Sequence, residues 1–143
     1  MRKVITDGGK KASGFSQESK DCTVRALSIC CAVSYEEAHA ALASEGRRTA
    51  RPCTTSVLLR AVNKFKHAEP LTVPRELKNI YLPDGFYVQR WLGCNIKTFV
   101  QNLGPGRYLI SIKKHVFAVI DGVIYDSFKQ HAGARVQGAW RIL

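Results

Sequence analysis

The hydrophobic pattern changes period at Gly104-Pro105-Gly106, and that change constrains the fold more than any other feature. Before this breaker, apolar residues recur at helical spacing; after it, β-branched and aromatic residues gather in short runs. The first helix is predicted from about Asp21 to Ala32, with Val24, Leu27, Ile29 and Cys31 apolar and Asp21 or Ser19 as its cap. The second lies in "SYEEAHAALASEG", where Ser34 and Glu37 have capping-box spacing and Gly46 supplies a stop. A third is predicted in "TTSVLLRAVNKF", capped by Thr54 or Thr55, and a shorter fourth in "NIKTFVQNL". The runs "RYLISI", "HVFAVI", "VIYDSF" and "AWRIL" then read as strands, and Asp121-Gly122 as a two-residue hairpin turn. Helices first and an antiparallel sheet last define an α+β domain.

A chain of 143 residues reads as one domain, 1–143, large enough to fold without staples. Residues 1–20 are polar, and 1–14 are expected to be a flexible lead-in. No apolar run spans a bilayer, and the basic N-terminus lacks an apolar signal core, so neither membrane insertion nor secretion is expected. Five cysteines without paired spacing fit reduced thiols in a cytoplasm. The segment 67–93, with its prolines and aromatics, is expected to form a short strand and a loop beside a groove.

Cys22 stands where a polar loop becomes an apolar helix, not inside the apolar run as Cys30 and Cys31 do. Unpaired backbone N–H groups and the helix dipole favour an anion there, and a thiolate is the reactive form of cysteine. A nucleophilic thiolate wants a base and a group that orients the base. With Asp121-Gly122 as the turn, Phe117 pairs with Asp126, so His115 and Asp126 become diagonal neighbours on one face, roughly 7–8 Å apart along the backbone. Asp121 is six residues from His115, about 20 Å along a strand, and is the poorer partner. The backbone N–H of Cys22 and the side chain of Gln17 are candidate donors to an oxyanion.

The order Gln17, Cys22, His115, Asp126 resembles that of the papain-like cysteine peptidases. The chain looks most like their small bacteriophage-type members, which carry a "DCxxRAL" helix start and an "HxxAVxDGxxYD" hairpin. Here these read Asp21-Cys22-Thr23-Val24-Arg25-Ala26-Leu27, and "HVFAVIDGVIYD" from His115 to Asp126. The resemblance implies a papain-like fold with Cys22 as nucleophile, His115 as general base, Asp126 as its orienter and Gln17 as oxyanion donor. It implies a protein or peptide substrate, a thioester acyl-enzyme and no cofactor. The Gly-rich and aromatic surroundings of the cysteine in larger members are absent, and the Gln–Cys gap differs slightly.

Each residue also has a plainer use. Cys22 can serve as a small hydrophobe, His115 as a strand-end histidine, Asp126 as a hairpin cap through Ser127, Gln17 as a solvated loop residue and Arg25 as half of a surface ion pair. No CxxC or HxxxH spacing calls for a metal, and "DGGKKASG" lacks the context of a phosphate loop. The balance of 22 basic against 11 acidic residues, a net charge of +11, points to an acidic partner. Nucleic acid satisfies that charge, but the basic residues are scattered and not interleaved with aromatics in a recognisable motif. A non-catalytic basic protein that binds a host factor or nucleic acid is the rival reading.

Overall fold

A computed structural model describes residues 1–15, 18–131 and 133–143. In chain order they form β1 (Arg2–Ile5), α1 (Lys10–Ser13), α2 (Cys22–Cys31), α3 (Tyr35–Ser44), α4 (Thr55–Val62), β2 (Ala68–Pro70), β3 (Arg75–Tyr81) and β4 (Tyr87–Gly93). There follow α5 (Ile96–Gln101), β5 (Arg107–Ile112), β6 (His115–Ile120), β7 (Val123–Asp126) and β8 (Gly138–Ile142). The fold is mixed α+β. Among the described residues no helix is long and apolar enough to cross a membrane.

Side-chain caps set the starts of three helices. Ser34 accepts a hydrogen bond from the Glu37 backbone at 3.0 Å, Thr54 from Val57 at 3.3 Å, and Asn95 from Thr98 at 2.8 Å. Helix α2 differs: Asp21 occupies the cap position, but its side chain makes no capping hydrogen bond. That expectation fails because the carboxylate is turned to other partners, accepting from Tyr35 Oη at 2.7 Å and pairing with the Arg25 guanidinium.

The main sheet has the strand order β1-β7-β6-β5-β8-β2. The hairpin turn at Asp121-Gly122 has positive φ at both residues, 49° and 78°, as a type I′ turn requires. It sets Ile120 opposite Val123, Val119 opposite Ile124 and Ala118 opposite Tyr125. The ladder runs no further, so Phe117 and Asp126 do not form the expected fourth pair. The sheet is also not purely antiparallel. Residues expected to be a flexible lead-in supply β1, which runs parallel to β7 and pairs Ile5 with Asp126. Four residues, two of them charged, carry too weak a local pattern to announce a strand whose partner lies more than a hundred positions away.

Alternation along the strands feeds two cores. Leu109, Val116 and Ala118 face α2, α3 and α4, where Val24, Leu27, Leu42, Leu58 and Val62 complete one cluster. Ile110, Phe117, Val119 and Ile124 join Ile96, Phe99 and Val100 of α5 in the other. The segment 67–93 holds more strand than expected. Its strands β3 and β4 pair as a separate two-stranded ribbon, with Leu77 opposite Trp91 and Tyr81 opposite Tyr87, and most of its side chains are exposed. Gly93 ends the ribbon against the main body, where a Cβ would lie 2.0 Å from the Val136 carbonyl oxygen.

Candidate active site

Helix α2 lies along β6, held at both ends. At its C-terminal end the Cys30 thiol donates to the Tyr108 carbonyl at 3.1 Å, and Arg107 donates to the Ile29 carbonyl at 3.0 Å. At its N-terminal end Cys22 lines the same cleft as His115 and Val116, with the sulfur near enough to the imidazole and the Val116 N–H for both to bear on its ionisation. The first turn of α2 therefore sits over the first residues of β6, and this places a sulfur beside an imidazole 93 residues away in sequence (115 − 22).

The imidazole continues the chain of contacts. His115 Nε2 is hydrogen-bonded to Oδ2 of Asp126, which leaves Nδ1 as the nitrogen that can exchange a proton with Cys22. Asp126 is 4% exposed. Its Oδ1 accepts from the Ser127 backbone at 2.7 Å, its Oδ2 also accepts from Gln130 Nε2, and its carbonyl accepts from Thr6 of the β1 end at 2.8 Å. The rings of Phe117 and Phe128 flank His115, with centroids 6.1 and 4.8 Å away. Cys22, His115 and Asp126 are thus brought together. Gln17 lies outside the described residues. Asp121 stands apart at the hairpin turn, where it accepts from the Gly106 backbone at 2.8 Å.

Charge at the site follows from these contacts. Burial opposes ionisation of the Cys22 thiol, but the His115 hydrogen bond, the Val116 N–H and the charges of His115 and Arg25 outweigh it, and its pKa falls below the ordinary value. Burial likewise opposes a charged His115, but its bonds to Asp126 and Cys22 raise its pKa to about 9. Each group's surroundings thus favour its charged form, a thiolate for Cys22 and an imidazolium for His115. The other four cysteines go the opposite way: burial raises Cys30, Cys53 and Cys94, and takes Cys31 to about 11. All five are free thiols.

The pair opens into a cleft of about 800 Å³ between α2, the 52–55 segment that starts α4, and the β5–β6 turn. Cys53 and Thr54 form one wall, and Ser111, Lys114 and Gln137 the other. The loop leading to Cys22 is tied down by Glu18, which is 3% exposed. Glu18 binds Arg47 at 3.0 and 3.3 Å, His39 at 2.8 Å and the Ala50 backbone N–H. Burial works against its charge, yet Arg47, the Ala50 N–H and His39 hold its pKa at about 2.

Two supporting residues escaped the sequence reading. Gln130 follows Asp126 by four positions in irregular chain, where no periodicity relates them. Glu18 finds its partners on α3 and the 47–50 loop, through contacts that only the fold creates. Arg25, in contrast, takes the ion-pair role foreseen for it, with Asp21. Comparison with protein-family models, curated proteins and solved structures finds no match for this chain.

Proposed function

We propose that the chain is a papain-like cysteine hydrolase acting on a peptide or isopeptide bond through a thioester acyl-enzyme. The observation that carries this reading is that Cys22 and His115 line one open cleft, close enough for each to bear on the other's ionisation, and that His115 is hydrogen-bonded to Asp126. The Cys22 thiolate attacks the carbonyl carbon, forming a C–S bond and a tetrahedral oxyanion. In this scheme the N–H of Cys22 donates to that oxyanion; the cap residue's carboxylate makes no capping hydrogen bond to the first-turn N–H groups of α2. Gln17 is the second donor in this scheme. His115 gives a proton to the leaving amine as the C–N bond breaks, then takes one from the water that releases the acid. Asp126 holds the ring and its charge in place throughout. Cleavage, deamidation and transfer to another amine share this intermediate.

Alkylation tests the reading. Near neutral pH, iodoacetamide is expected to modify Cys22 at least about tenfold faster than any other cysteine, and His115→Ala to bring it down to their rate. Slow, uniform labelling of all five would overturn it.

The non-catalytic alternative draws on the net charge of +11 and on the exposed ribbon, where Trp91 is 65% and Phe86 73% exposed. Salt-sensitive binding of DNA or RNA that survives Cys22→Ala, together with an unreactive Cys22, would favour it.

A further inference from the structure

The two turns that deliver the nucleophile and the base share an unusual feature. Lys20, two positions before Cys22, has φ 50°, and Lys114, one position before His115, has φ 56°. Both are in the left-handed region, where glycine avoids the strain that a Cβ creates. Both line the cleft. The other non-glycine residues with positive φ are two alanines and the turn residue Asp121. Strain held at a site points from the outlier to a role for its side chain.

The charges around these lysines define that role. Among the described residues neither lysine has a carboxylate within salt-bridge distance, and both are exposed. Asp21 is the one acidic residue lining the cleft. It is already committed to Arg25, to Tyr35 at 2.7 Å and to Lys10 at 3.9 Å. The concave surface around Cys22 therefore carries uncompensated positive charge on both sides of the reacting pair. We propose that Lys20 and Lys114 bind a substrate carboxylate and select polypeptides that carry one beside the bond attacked by Cys22. The proposal rests on the hydrolase reading of the same cleft. The carboxylate comes either from an Asp or Glu side chain or from a free C-terminus.

The ratio of Cys22 alkylation by iodoacetate, an anion, to alkylation by neutral iodoacetamide isolates the two lysines. His115 also attracts an anion, but it is common to wild type and variants. The ratio is expected to fall roughly threefold in Lys20→Gln or Lys114→Gln, roughly tenfold in the double variant, and also in wild type as salt is raised. Lys20→Gly and Lys114→Gly relieve the backbone strain, so they are expected to keep or raise the melting temperature while losing the same preference. Three capped tripeptides, tested as protectants against iodoacetamide, then identify the source. Ac-Ala-Glu-Ala-NH2 carries a side-chain carboxylate, Ac-Ala-Gln-Ala-OH a terminal one, and Ac-Ala-Gln-Ala-NH2 neither. One of the first two is expected to protect wild type at least about fivefold better than the third, and the advantage to vanish in the double variant. A ratio that stays within about twofold in the double variant, or equal protection by all three peptides, overturns the lysine proposal while a fast-reacting Cys22 leaves the hydrolase reading intact. A wild-type Cys22 that reacts no faster than the other cysteines overturns the hydrolase reading first.

Discussion

At the scale of single residues, the decisive group besides the reacting pair is Asp126. A carboxyl group this deeply buried needs its oxygens hydrogen-bonded, and His115, Gln130 and the Ser127 backbone satisfy them. Gln130→Leu removes one of these donors. It is expected to cost about 2 kcal/mol in thermal or denaturant unfolding and to slow Cys22 alkylation severalfold, with a shifted pH profile. A structural role alone would lower stability without moving that profile. Cys22, His115 and Asp126 were legible as candidates because each has a local signature: a cysteine at a helix start, and a histidine and aspartate that the Asp-Gly turn sets close together even though the Phe117–Asp126 pair does not form. Gln130 was not, because its relation to Asp126 depends on how irregular chain folds back after β7.

At the scale of elements, helices α2 to α5 were legible, whereas α1, inside the stretch expected to be a flexible lead-in, and the sheet edges were not. Capping residues are local, so Ser34 marks α3, and Thr54, one of two candidates with Thr55, marks α4; Asn95 caps α5 without having been singled out in the sequence. Ser34→Ala is expected to destabilise the protein by about 1 kcal/mol and leave Cys22 reactivity unchanged, a pair of readings from one unfolding curve and one alkylation assay. The ribbon β3–β4 did carry a signal, in the Pro83-Asp84-Gly85 turn between a run that ends in Tyr81 and one that holds Phe86, Tyr87 and Trp91. Most of its apolar residues face solvent instead of a core, so no burial pattern marked it as two paired strands in place of the short strand and loop expected. Trp91→Ala is accordingly expected to change stability by no more than about 0.5 kcal/mol. Strand β1 is different in kind. It backs the strand that carries Asp126, and Lys3 reaches the Gln130 carbonyl at 2.9 Å. A chain truncated before Asp7 is expected to lose both stability and fast alkylation of Cys22, whereas a dispensable tail would cost neither.

At the scale of the whole molecule, proton binding links the site to folding. Glu18 titrates at about 2 in the native protein against an ordinary 4.5, so its contribution is present above pH 4.5 and is lost as pH falls from there through 2. The loop that leads into Cys22 is expected to loosen over that acid range. The site pair behaves otherwise. His115, raised from 6.5 to about 9, contributes fully below 6.5 and loses that contribution as pH rises through 9. The lowered Cys22 thiol gains stability as pH rises from its native pKa to its ordinary 9.0. Above both 6.5 and the native pKa of Cys22, and below 9.0, native and unfolded chains hold the same number of protons on this pair, so the two effects offset there. Cys22→Ser removes the offset and one of the contacts that raise His115, so its stability is expected to decline as pH rises above 6.5 over the range in which the Asp126 bond still holds His115 raised, where the wild type, once above the native Cys22 pKa, stays level.

The most direct measurement is the ultraviolet absorbance of the thiolate, taken as the difference between wild type and Cys22→Ser across pH, and repeated in the His115→Ala background. A thiolate at Cys22 held by the imidazolium is expected to absorb already at about pH 7, and to vanish there without His115. Absorbance that appears only near an ordinary cysteine pKa, and identically with and without His115, would contradict the pairing of these two groups.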